Sequence, residues 1–249
     1  MTSGSSTRDQ RQAKASALRA QVARQEARRR QAIAGGVVLV VVALAVAVFV
    51  VIQNARHDDA TAGATPPANI GPGNSIVVGQ AGAPVTLTAY EDFQCPVCND
   101  YEQANTAQID TWVKAGTVKV EYRPVSILDR ASSTNYSTRA LNAAAAVVNS
   151  APGAFPAFHQ ALFANQPAEG TAGLTDDKLI ELAVAAGAPK APVTAAIKDG
   201  KFKGWAAKVT EDASKDGLTG TPWVKVNGTV LKEPTAANLK AAVEAAAKK

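Results

Sequence analysis

The stretch Glu91-Asp92-Phe93-Gln94-Cys95-Pro96-Val97-Cys98, continued by Asn99-Asp100-Tyr101-Glu102-Gln103-Ala104, decides how this 249-residue chain is read. Just before it, residues 85–90 (VTLTAY) alternate Val and Thr in a way that suits a pleated surface, so a strand is expected. After it, Ile109, Trp112 and Val113 recur at helical spacing. Pro96 suits a first helical turn, where its missing N–H costs nothing. A strand therefore runs into a helix that starts near Cys95. Two cysteines three apart at a helix start face the same way, within the short separation that an S–S bond requires. Cys95, at the helix end, is expected to be exposed and to see unpaired N–H groups and the positive end of the helix dipole, which stabilise its thiolate. Cys98, one turn inside, is expected to be more buried and more protonated. Cys95 is then the attacking sulfur that forms a mixed disulfide, and Cys98 the resolving one.

Two other roles are open to such a pair. A structural zinc site needs four ligands, yet besides these two cysteines the chain offers only His57 and His159. An inert disulfide is the more serious rival, but a bridge across three residues closes too small a loop to stabilise much. A strand-to-helix junction raises thiol reactivity, which favours redox chemistry.

Outward from the motif, charge is distributed unevenly. The formal net charge of +5 invites a nucleic-acid reading, but residues 1–31 alone hold eight basic and two acidic side chains, and the remainder is nearly neutral. No nucleic-acid partner is therefore expected. Residues 32–52 (AIAGGVVLVVVALAVAVFVVI) carry no charge over a length sufficient to cross a bilayer, and are read as one transmembrane helix. A cleaved signal peptide would have a shorter apolar core followed closely by small residues, and a buried core helix would show a polar face. Arg28, Arg29 and Arg30 keep the basic leader, 1–31, cytoplasmic by the positive-inside rule, and everything after Asn54 lies outside. The expected location is the cytoplasmic membrane, single-pass, with the folded part extracytoplasmic. Residues 53–82, rich in Ala, Gly, Pro, Asn and Asp, read as a flexible linker, although Ile76-Val77-Val78 interrupts the pattern. Residues 83–249 form the folded domain.

Further along, residues 117–126 (TVKVEYRPVS) alternate as a strand. Helices are expected at 133–148, 155–164, 175–186, 191–199 and 203–215, and an Ala-rich terminal helix at 235–248 has Thr235 as candidate N-cap. Between them, Thr221-Pro222 leads into residues 223–226, and Asn227-Gly228 is a tight hairpin turn to residues 229–231. Phe155, Phe158, Phe163 and Trp205 are read as core, and His159 as a packed or surface histidine.

The strand followed by FQCPVC, the long helical stretch and the run Gly220-Thr221-Pro222-Trp223-Val224-Lys225-Val226-Asn227-Gly228 resemble the DsbA-like branch of the thioredoxin superfamily, of the membrane-anchored actinobacterial type. The resemblance covers about residues 75–248. It implies an α/β thioredoxin fold with a helical insertion at about 131–216, preceded by the transmembrane helix. It also implies that Pro222 is a cis-proline lying against the active-site sulfurs and that the backbone at Thr221 docks substrate peptide. From Cys95, Cys98, Pro96, Val97, Thr221 and Pro222 it implies a thiol:disulfide oxidoreductase that introduces disulfides into reduced exported proteins. Such an enzyme needs no cofactor besides its own disulfide, acts as a monomer, and is reoxidised by a quinone-linked membrane partner of the DsbB or vitamin-K-epoxide-reductase-like type. An envelope reductase or isomerase, and a peptide-binding chaperone module on the same scaffold, remain alternatives.

Two departures from the family stand out. The carboxylate common six residues before the first cysteine is Ala89 here, which leaves Glu91 and Asp92 as candidates for the proton relay, unless they are a solvated strand end. The middle dipeptide is Pro96-Val97, and Val97 supplies no positive charge to the Cys95 thiolate, so weaker oxidising power is expected than with His there.

Overall fold

The computed structural model describes residues 45–48 and 64–248. Residues 45–48 are helical. The rest of the expected transmembrane span and the basic leader lie outside the described residues, among which no helix is long and apolar enough to cross a membrane.

One sheet organises the folded unit. Its strands are β1 (Ile76–Val78), β2 (Val85–Glu91), β3 (Val118–Pro124), β4 (Trp223–Val226) and β5 (Thr229–Leu231), in the order β1-β3-β2-β4-β5. The helices are α1 (Pro96–Lys114), α2 (Tyr136–Ser150), α3 (Phe155–Ala164), α4 (Asp176–Ala185), α5 (Lys190–Lys198), α6 (Lys203–Lys215) and α7 (Ala236–Ala246). Strand β2 lies between β3 and β4, so nearly all of it is buried, Thr88 included, and the alternation seen in its sequence does not become a wet face. Helix α1 crosses over to β3, which pairs parallel with β2 from Val85↔Val118 to Glu91↔Pro124. This crossover puts the carboxyl end of β2 beside the start of α1, where the cysteines sit.

The expected linker is too long at its far end. Ile76–Val78 pairs antiparallel with β3, Ile76 opposite Tyr122 and Val78 opposite Val120. Upstream, Ala68 N donates to Asn149 Oδ1 at 3.0 Å and Asn69 Nδ2 to the Val148 carbonyl at 3.1 Å. A three-residue strand is too short to show a period, and what holds it is a partner more than 40 positions away.

The helical insertion is packed around α2, which α3, α4, α5 and α6 all touch. Ala140 and Ala143 to Ala146 are buried there, and their small side chains let the neighbouring helices approach closely. Asn142 ties two of these neighbours down, its Oδ1 accepting from Phe202 N at 2.7 Å and its Nδ2 donating to the Ala196 and Ile197 carbonyls at 3.4 Å. Phe155, Phe158, Phe163 and Trp205 are core, as expected. At the other end of the sheet, Asn227 and Gly228 both have positive φ, 45° and 80°, as a two-residue hairpin turn demands. Thr235 caps α7 by accepting from Asn238 N at 3.3 Å.

Candidate active site

Cys95 is the N-cap residue of α1, in extended conformation, and its carbonyl accepts from Cys98 N at 3.1 Å and Asn99 N at 3.2 Å. Pro96 takes the first helical position. The loop that delivers Cys95 is fixed from the insertion, because Gln166 Nε2 donates to the carbonyls of Phe93 (3.1 Å) and Cys95 (2.9 Å). From the opposite side comes the segment before β4: the Thr221-Pro222 bond is cis, and Cys95 Sγ lies 3.5 Å from the Thr221 carbonyl oxygen. The two cysteines, Pro96, Val97, Thr221 and Pro222 thus converge, as the motif pair led one to expect.

The sulfur of Cys95 is less open than expected. Cys95 is only 6% exposed and Cys98 fully buried, because both the Thr221-Pro222 segment and the insertion close around the helix start. What meets solvent is Pro96 and Val97, the latter 58% exposed.

The Cys95 thiol is lowered to about 6 from an ordinary value near 9.0, first by a hydrogen bond from the Cys98 thiol, against the opposing effect of burial. The backbone N–H groups of Cys98 and Val97 add to it, so Val97 acts through its main chain. Cys98 is pushed far up, chiefly by burial. One sulfur is therefore largely thiolate at neutral pH and the other holds its proton, the division of labour inferred from the motif.

Glu91 and Asp92 are not a solvated strand end; both are buried, and for different purposes. Asp92 turns away from the sulfurs. Its Oδ1 accepts from Gln94 N (2.9 Å) and Ser137 Oγ (2.6 Å), and its Oδ2 from Leu128 N (2.9 Å). It pins the loop to the insertion, and none of these contacts is with a cysteine, so it does not fit the relay role. Glu91 does face the cysteines electrostatically and is held at about 8, mainly by burial. Its Oε2 lies 3.1 Å from His159 Nε2, and one of its carboxyl oxygens lies within 4.8 Å of one of Glu102, also held at about 8, mainly by burial.

His159 and Glu102 were not singled out as site residues from sequence. His159 is fully buried, its ring packed against Phe93, Tyr122, Phe155 and Phe163, and burial lowers its pKa. No local pattern marks either residue; a Glu two turns inside a helix and a His among aromatics both pass as packing.

Glu91, Glu102 and His159 each offer an atom within 4.8 Å of the others, as a metal site would need. The imidazole, however, meets Glu91 with Nε2 at 3.1 Å and Glu102 with Nδ1 at 3.8 Å. With both ring nitrogens turned to carboxyls, the arrangement is suited to sharing protons.

A sheet with a cysteine pair at the β2–α1 junction and a cis-proline against it defines a thiol–disulfide exchange scaffold. The thioredoxin family model matches residues 72–245, and the chain belongs to that family, in its DsbA/DsbG-type branch. The chain is similar to the reduced form of a disulfide bond oxidoreductase (DsbG) from Mycobacterium tuberculosis, at 34% identity and TM-score 0.65, covering 72% of this chain and 90% of that one. It is also similar to oxidised DsbA of the same organism, at 34% identity and TM-score 0.62, covering 70% and 93%. Among curated proteins, the serine/threonine-protein kinase PknE of M. tuberculosis is 33% identical over 160 residues, 61% of this chain, and the chain spans 28% of that kinase's length.

Proposed function

We propose that this protein is a membrane-tethered, extracytoplasmic thiol:disulfide oxidoreductase that introduces disulfides into exported proteins by exchange at Cys95 and Cys98. The observation that carries the reading is the Cys95 sulfur, thiolate-favouring and set against the Thr221 carbonyl of a cis Thr221-Pro222 segment. A substrate thiolate attacks Cys95 of the disulfide, the bond's electron pair goes to Cys98, and a mixed disulfide forms. A second substrate thiolate then attacks the substrate sulfur of that bond, releasing the oxidised product and leaving Cys95 as thiolate. Both electrons stay on sulfur, so the cycle uses no cofactor, but it requires a membrane partner, quinone-linked, to remove them.

Stabilising the Cys95 thiolate stabilises the reduced enzyme, which favours oxidation of substrates over their reduction or isomerisation. Pro96 and Val97, exposed beside the sulfur, form the contact surface with substrate, and the Thr221 main chain docks extended peptide. Glu91 exchanges a proton with Cys98 in place of the absent carboxylate at position 89. The basic leader and the apolar run 32–52 support a single-pass anchor with the catalytic domain outside.

The test is Cys95→Ser in an oxidative refolding assay with a reduced multi-disulfide substrate. Loss of catalysis is expected; surviving catalysis sinks the exchange reading. Equilibration of the Cys95/Cys98 pair with glutathione fixes the direction, and a potential near that of cytosolic reductants would assign a reductase. A second reading, a ligand-sensing module without turnover, is favoured by the kinase that carries a similar stretch as part of its length. It predicts a Cys95→Ser protein that still binds unfolded peptide and a wild type that does not catalyse refolding.

A further inference from the structure

Exchange moves a proton as well as electrons. When substrate thiolate attacks Cys95 and the disulfide opens, Cys98 leaves as a thiolate in a site with no exposure, and burial drives it to take up a proton. On reoxidation, Cys95 attacks the disulfide of the redox partner, and Cys98 must give that proton up before it can attack Cys95 and release the reduced partner. One proton therefore crosses the protein interior in each half-cycle.

Glu91, 1% exposed, reaches no solvent itself. One of its carboxyl oxygens lies within 4.8 Å of one of Glu102 on α1, and burial holds both carboxyls at about 8, so at neutral pH this pair has a proton to pass. Oε1 of each residue meets no donor, as befits a carboxyl that can carry its own proton. On its other side Glu102 lines an open groove between α1 and α3, together with Asn99, Gln103, Thr106, Asp110 and Gln160. Thr106 Oγ1, on that wall, donates to Glu102 Oε2 at 2.9 Å. Around the pair stand Tyr122 from β3, Cys95, Cys98, Tyr101 and Asp110 from α1, and His159 from α3, the one basic group of the set.

Resting on the exchange reading above, we propose that Glu102 is the proton outlet of the site. The proton that Cys98 takes or gives passes through Glu91 to Glu102 and leaves by the α1–α3 groove, while His159 is a positioning residue that holds the Glu91 carboxyl against Glu102. The transfer is balanced: each carboxyl releases one proton as it accepts another, and the groove exchanges the last with water.

The experiment uses the full reduced chain mixed in a stopped-flow instrument with an aromatic disulfide, dithiobis-nitrobenzoate. The first release of thionitrobenzoate reports attack by Cys95, the second attack by Cys98. Glu102→Ala should slow the second phase about tenfold at neutral pH, a modest share of what a positioned acid or base contributes, and leave the first phase as it was. Added acetate or imidazole, small enough to enter the vacated wall, should restore it. Glu102→Gln, which keeps the shape, should slow the second phase without rescue, and serves if the alanine variant folds poorly. His159→Phe should slow it without rescue and shift its pH profile.

If Glu91→Gln slows the second phase while the Glu102 variants do not, or slow it in a way no small acid repairs in Glu102→Ala, the outlet is elsewhere. If Glu91→Gln also leaves it unchanged, the role given to Glu91 falls, and the outlet with it. A stoichiometric metal ion in the purified chain would overturn the proposal as well.

Discussion

Replacing Cys98 by alanine removes the donor that does most to hold the Cys95 thiol at about 6. A hydrogen bond to a charged group is worth roughly 1.5–3 kcal/mol, and one pH unit corresponds to about 1.4 kcal/mol. Cys95 in Cys98→Ala should therefore titrate about one to two pH units higher, near 7–8. Cys98→Ser returns an O–H donor to the same place and should recover at least half of the difference. The assay is thiolate absorbance in the ultraviolet against pH, cross-checked by the pH dependence of iodoacetamide alkylation. An unchanged midpoint in Cys98→Ala would refute the reasoning and give the whole effect to the α1 N–H groups. The same shift has a stability consequence. The folded value lies below the unfolded one, so the stabilisation is full above about 9, shrinks as pH falls and vanishes below about 6. It amounts to about 1 kcal/mol at pH 7, which makes the disulfide more oxidising by roughly 30 mV than one formed from ordinary thiols. The urea midpoint of the reduced chain, minus that of Cys95→Ser, should rise from pH 6 to pH 9.

Three more outcomes are expected. Asp92→Ala strands Gln94 N, Leu128 N and Ser137 Oγ in the interior and should cost about 3 kcal/mol or more in urea unfolding, with the Cys95 titration displaced far less than by Cys98→Ala. Glu91 and Glu102 titrate higher folded than unfolded, so their contribution is full in acid and lost as pH rises through about 8. In a Cys95→Ser background the urea midpoint should fall between pH 5 and 8, and the Glu91→Gln/Glu102→Gln double variant should flatten that slope. Asn227→Ala loses the 2.7 Å bond that Asn227 Oδ1 accepts from Thr86 N and puts a less tolerant residue at φ 45°, a cost of about 1–2 kcal/mol read as a lower denaturation midpoint.

Local chemistry made much of this fold legible. Pro96 after a strand marks the start of α1, Asn227-Gly228 marks its hairpin, and the apolar spacing of 155–164 and 203–215 matches α3 and α6 as built. The cysteine pair could be given roles because a helix start treats its end residue and the residue one turn inside differently in any fold. Residues whose meaning depends on a distant partner stayed hidden. Nothing near His159 says that it faces Glu91, 68 positions earlier, and nothing near Gln166 says that it holds the carbonyl of Cys95. The degree of exposure of Cys95 failed for the same reason, since the segments that cover it come from residues 166 and 221. Asp92 and Glu91 are adjacent and chemically alike, yet the turn after β2 sends one into the loop's hydrogen bonds and the other beneath the sulfurs.

The grip of the insertion on the β2–α1 junction bears on how such proteins can be recombined. Three of its side chains reach across: Ser137 to Asp92, His159 to Glu91 and Gln166 to the main chain at Phe93 and Cys95. The helical segment is therefore no interchangeable cassette. A chimera that transplants 131–216 from a relative onto this sheet would inherit a loop without its fasteners unless those three positions travelled with it, and grafting them alone could be enough to reseat the donor helices.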